Sequence, residues 1–129
     1  MPKLGTMFKS YLLHLARSPM GRWLLGWGFE HMSFALPVHR LHETTTLIAF
    51  HHPRPAYAVH ILLVPKKAIS SLADLGPGDA GFLVDLFATV QELVKALNLE
   101  ESGYRLIANG GQYQDVPQLH FHLISGAHF

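Results

Sequence analysis

Hydrophobic and polar positions follow different periods in different parts of the chain. Met7, Phe8, Tyr11, Leu12 and Leu15 recur at helical spacing, with Lys9, Ser10, His14 and Arg17 elsewhere on the wheel. This predicts an amphipathic helix ending near Pro19. MGRWLLGWGFEHM, residues 20–32, predicts a second helix, unusually aromatic at Trp23, Trp27 and Phe29 and weakened by its glycines. From Leu36 the texture changes. VHRLHE and TLIAFHH read as two strands joined by a turn over residues 44–46, and AYAVHILLVP is the strongest strand pattern, ended by Pro65. Asp79 is placed to cap a long amphipathic helix built on Phe82, Leu83, Leu86, Phe87, Val90, Leu93, Val94 and Leu97. YRLIA is a further strand, NGG a turn, and QLHFHLI (118–124) a last strand with strict alternation. The order predicts an α+β fold: an antiparallel sheet of about five strands with one long helix on a face, behind an N-terminal helical extension. The expected division is an extension over 1–34 and a domain over 35–129.

Composition narrows the classes. The 129 residues fit one domain. The chain is 49% hydrophobic and 15% charged, with formal net charge +1. That balance argues against a nucleic-acid partner. With no Cys, disulfides, thiolate catalysis and Cys-ligated zinc are excluded. No apolar run reaches a membrane span, and the apolar stretch near the N-terminus is broken by His14 and Arg17, so neither a spanning helix nor a cleaved leader is expected. Two readings of the extension stay open: packing on the domain or a second subunit, or peripheral membrane contact through residues 7–29. Localisation is expected to be cytoplasmic, with that peripheral contact as the variant.

The chemistry rests on histidine. Ten His in 129 residues predict roughly 0.8 His-x-His pairs by chance, so the pair His120 and His122 carries no weight as a count. Taken singly, the other candidates are ordinary. His60 shares a strand face with Leu62 and Val64, as a core histidine does. His51 and His52 read as solvated loop residues, Asn109 as part of a turn, and Gln114 and Asp115 as loop residues. His60, His120 and His122 together would also supply three nitrogen ligands to a metal.

The combination is more specific. LPVHRLHETTTLIAFHH, then HILLVPKKAI, a long helix, YRLIANGG and finally Q-x-x-x-Q-x-H-x-H resembles the histidine triad family over residues 36–126. That family ends in His-φ-His-φ-His-φ-φ, φ being apolar, after a strand closed by Asn and a loop rich in Gly and Gln. The likeness is to its nucleotide hydrolase and transferase members, with the first triad His replaced by Gln118. It implies that His120 is the nucleophile toward an α-phosphorus and that His122 bonds the phosphate or leaving group. It further implies that His60 belongs to the network behind them. Asn109 and Gln114 fall on phosphate-contacting positions and Asp115 where a Ser often assists the leaving group. His52 falls where an acid usually bonds the ribose, and Phe50, Trp27, Phe29 and Met32 fall around the base. The expected activity is phosphoramidase or nucleotide-conjugate hydrolysis on a purine nucleotide, without metal or cofactor, in a homodimer. The alternative is a low-turnover nucleotide sensor, membrane-associated through its N-terminal helices.

Overall fold

A computed structural model of the chain describes residues 40–129. The expected N-terminal helices lie outside the described residues, and with them Trp27, Phe29, Met32 and the membrane contact through 7–29. Among the described residues no helix is long and apolar enough to cross a membrane.

The chain runs β1 (Arg40–Glu43), β2 (Leu47–His51), β3 (Tyr57–Pro65), α1 (Ala80–Ala96), α2 (Leu99–Ser102), β4 (Arg105–Ala108) and β5 (Phe121–His128). The strands form one antiparallel sheet in the order β1-β2-β3-β5-β4. The expected α+β architecture is therefore observed. Alternation divides each strand between two faces. Leu47, Ala49, Ile61, Leu63, Phe121 and Leu123 form a core with Phe82, Leu86, Val90, Leu93 and Val94 of α1. Each buried Val, Leu, Ile or Phe of this core contributes roughly 1.5–3 kcal/mol on burial. Phe87 and Val84 face away and remain 57% and 69% exposed.

Asp79 occupies the N-cap position of α1, but its side chain does not cap the helix. Oδ1 accepts from Lys67 Nζ and Oδ2 from Gly76 N–H, both at 2.9 Å. Lys67 first, then Gly76, hold its carboxyl below the usual range. Asp79 thus closes the connection from β3 rather than the helix itself.

The last strand is displaced from its expected span of 118–124. Residues 118–120 run beside the connection after β3, because Leu119 N–H donates to Ile69 O at 2.7 Å. Gln118 Nε2 reaches Lys67 O at 3.4 Å, and Gln114 Nε2 donates to Ser70 O at 2.6 Å. These three bonds staple the approach to β5 onto the carbonyls of residues 67–70. At its other end β5 continues to His128 through an irregularity opposite Tyr57 and Val59. Gly126 makes this possible, with φ at +85°; a Cβ there would lie 2.7 Å from Ala58 Cβ.

Candidate functional site

The face of the sheet away from α1 carries the histidines, and register puts them in adjacent rows. Phe50 pairs with Leu62, Leu62 with His122, and His122 with Ile107. Beside this row, His52 donates its backbone N–H to His60 O at 2.8 Å, which places His52 opposite His60. On the other side, His120 directly precedes Phe121, the residue that pairs with Leu63 and with Ala108. Ring centroids are 4.4 Å apart for His52 and His60, 5.2 Å for His60 and His122, and 5.0 Å for His120 and His122.

Backbone groups assign the protons. A main-chain N–H only donates and a carbonyl only accepts. Ala56 N–H donates to His60 Nδ1 at 3.0 Å, so neutral His60 carries its proton on Nε2. That Nε2–H meets His122 Nδ1 at 2.9 Å, so His122 in turn carries its proton on Nε2. His120 is fixed the opposite way. Its Nδ1–H donates to Gln118 O at 2.8 Å, which leaves the lone pair on Nε2. Neighbouring rings therefore present a nucleophilic nitrogen on His120 and an N–H donor on His122. The His122 Nε2 is buried and has no hydrogen-bond partner among the described residues. An unmet buried donor costs about 1–3 kcal/mol, recoverable by an acceptor on a ligand.

Electrostatics keep these rings neutral. Burial lowers His122 to about 3, helped by His120, His60 and His52. Burial lowers His52 to about 4, with His60 and His120 adding to it. His60 is lowered by burial alone. His120 is also lowered by burial, against the opposing pull of the Gln118 carbonyl and the Asp115 charge. A neutral imidazole with an open lone pair is competent to attack phosphorus.

The structure gathers His52, His60, His120, His122 and Phe50 on one face, sets Asp115 within electrostatic reach of His120, and leaves Asn109 half-buried just past the end of β4. It draws two side chains away. Gln114 gives its amide protons to Ser70 O and Val116 O (2.9 Å), and the Gln118 amide faces Lys67 O. His52 is not the solvated loop residue its local sequence suggests, because it is half-buried and its ring lies tilted against that of His60. Tyr57, in edge contact with His60 at 5.7 Å, goes unnoticed in sequence, as does the Ala56 amide. The spacing of His52 and His60 about the Pro53 and Pro55 loop is the signal that could have paired them. As for the metal reading, His60 already uses both ring nitrogens within the protein. Among the described residues, no group of three His, Asp or Glu is placed to hold a metal ion.

Comparison with known proteins places this arrangement. The chain is 33% identical over 94 residues to an uncharacterized 13.2 kDa HIT-like protein of Azospirillum brasilense, covering 70% of this chain and 77% of that one. A HIT family hydrolase from Legionella pneumophila Philadelphia 1 superposes with a TM-score of 0.66 at 32% identity, over 71% of this chain and 84% of that one. A histidine triad nucleotide-binding protein from Candida albicans gives a TM-score of 0.63 at 30% identity, over 71% and 68%. The HIT domain profile matches residues 34–129, and with the fold and the histidine rows in agreement the chain belongs to the HIT domain family.

Proposed function

We propose that the protein is a nucleotide hydrolase or nucleotidyl transferase acting at the α-phosphate of a nucleoside phosphoramidate, dinucleoside polyphosphate or related conjugate. The observation that carries this reading is the opposed pair of tautomers: an Nε2 lone pair on His120 beside an Nε2–H on His122. His120 Nε2 attacks phosphorus, the leaving group departs with the bonding pair, and a nucleotidyl-histidine remains. The positive charge that develops on the ring is met by the Gln118 carbonyl at Nδ1. His122 Nε2–H donates to a non-bridging oxygen. The string from Ala56 through His60 to His122 holds no spare proton. His122 therefore stabilises charge, and the leaving group takes its proton from the solvent side. Water then cleaves the P–N bond and restores His120. The names of the Legionella hydrolase and the Candida nucleotide-binding protein support this reaction class.

Quenching during turnover with an α-labelled nucleotide phosphoramidate tests it: label is expected on His120, and His120→Ala should lose both label and turnover, on the order of 10³-fold or more. Unlabelled protein with unchanged turnover in that variant overturns the reading. A second reading, a low-turnover binding module, draws support from the Asp115 charge felt at His120, which disfavours an anionic substrate. A homodimer is part of the proposal. β4 is an edge strand, and Phe87 and Val84 are exposed on α1.

A further inference from the structure

The third imidazole beside the reacting pair points to substrate selection. His52 Nδ1 accepts the Arg54 backbone N–H at 2.9 Å. By the same proton count, neutral His52 carries its hydrogen on Nε2 and offers a ligand only a donor. Its ring is stacked at 6.2 Å from that of His122, so a ligand held at His122 and larger than a single phosphate comes within reach of it. The loop bearing it, residues 51–56, contains His51, His52 and Arg54 and no acid. Arg54 is exposed and forms no ion pair among the described residues. The negative charge at the site lies elsewhere: Asp115 acts on His120 and is not among the influences on His52 or His122. Arg54, two residues on in the same loop and bonded through its amide to the His52 ring, adds positive charge on the His52 side, which favours a further anion there.

Building on the proposed nucleotide reaction, we infer that His52 and Arg54 receive a second phosphate group of the substrate, beside the phosphate held at His120 and His122. His52 supplies a directed N–H and Arg54 a charge-assisted contact. The group has two chemical sources: a phosphate on the ribose, or the next phosphate of a polyphosphate chain. Both satisfy the donors, and both distinguish this site from one built to accept a hydrogen bond from a free sugar hydroxyl.

Equilibrium binding to the full chain, followed by calorimetry, tests the inference without relying on turnover. The probes are AMP, ADP, adenosine 2′,5′-bisphosphate and adenosine 3′,5′-bisphosphate. At least one doubly phosphorylated probe is expected to bind about tenfold or more tightly than AMP, since one charge-assisted bond is worth about that much. A preference for a bisphosphate assigns the ribose source, and a preference for ADP assigns the chain source. Arg54→Ala should remove most of the advantage, and His52→Asp should reverse it. His52→Gln, which keeps a donor, should retain part of it, showing that a loss in His52→Asp is not a folding defect. AMP binding as tightly as every other probe, or an advantage untouched by these variants, overturns the inference while leaving the proposed reaction intact. Failure of all four nucleotides to bind overturns both.

Discussion

His60 and His122 share one hydrogen bond, Nε2 to Nδ1 at 2.9 Å, and its direction is set by the amide of Ala56. The bond turns a main-chain N–H in a proline-rich loop into an N–H donor on His122, beside the His120 ring. Nitrogen-15 spectra near pH 7.5 should show His60 and His122 as Nε2–H tautomers and His120 as the Nδ1–H tautomer. His60→Phe should let His122 adopt either form and lower kcat/KM by roughly 10²-fold, the scale of losing one oriented donor. An Nε2–H signal for His120 in the wild type would contradict the assignment.

The depressed imidazole pKa values shape the response to acid. For His52 the ordinary value of 6.5 falls to about 4, and for His122 to about 3. Between those values and 6.5 the unfolded chain holds more protons than the folded one, so stability rises with pH. The contribution is fully present above about pH 6.5 and is lost as pH falls through that window. Urea midpoints should decline steadily from pH 6.5 to 4.5. With His120 also lowered, kcat/KM should show no acid limb at the ordinary histidine value. An acid limb at pH 6.5 with pH-independent urea midpoints would show that the cluster is not held neutral.

Gln118 matters here through its carbonyl. That oxygen fixes His120, whereas its side-chain contact to Lys67 O is long at 3.4 Å. Gln118→Ala should keep turnover near wild type and cost about 0.5–1.5 kcal/mol in stability. A collapse of kcat with stability unchanged would assign the amide a direct role. Gln118→His, assayed on a panel of phosphoramidates and dinucleoside polyphosphates, then shows which leaving groups a third ring would favour.

Gly126 shapes the far end of β5. Its φ of +85° and the 2.7 Å approach to Ala58 Cβ both oppose a side chain. Gly126→Ala should destabilise by about 1–3 kcal/mol, visible as a lower melting temperature. Adding Ala58→Gly should recover the part due to the clash and leave the part due to φ. Full recovery would mean that backbone strain contributes nothing.

The edge of β4 and the exposed Phe87 make the dimer testable. Light scattering should give twice the chain mass, with Phe87→Glu shifted toward monomer at low micromolar concentration. A wild-type mass of one chain would remove the dimer.

Much of the fold is legible in the chain. Strong alternation in TLIAF and AYAVHILLV, and the helical recurrence from Phe82 to Val94, locate β2, β3 and α1 within one or two residues. The error at β5 is physical. Alternation in QLHFHLI continues through residues 118–120, but pairing there is taken by the carbonyl of Ile69, which no periodicity reveals. Asp79 is similar: its position is right and its partners are not, because Lys67 and Gly76 compete for the carboxylate.

The sequence by itself determined which residue types share a strand face, because a period of two is a local property of the extended backbone. It also carried the family likeness, since His60, Asn109, His120 and His122 stand at matching separations. Only the tertiary structure decided how those histidines differ. The tautomers of His60, His122 and His120 depend on the Ala56 amide and the Gln118 carbonyl, main-chain groups that no side-chain pattern distinguishes. Register between β3 and β5 then brings His60 beside His122, and the proton direction passed along that contact exists only once the sheet has formed.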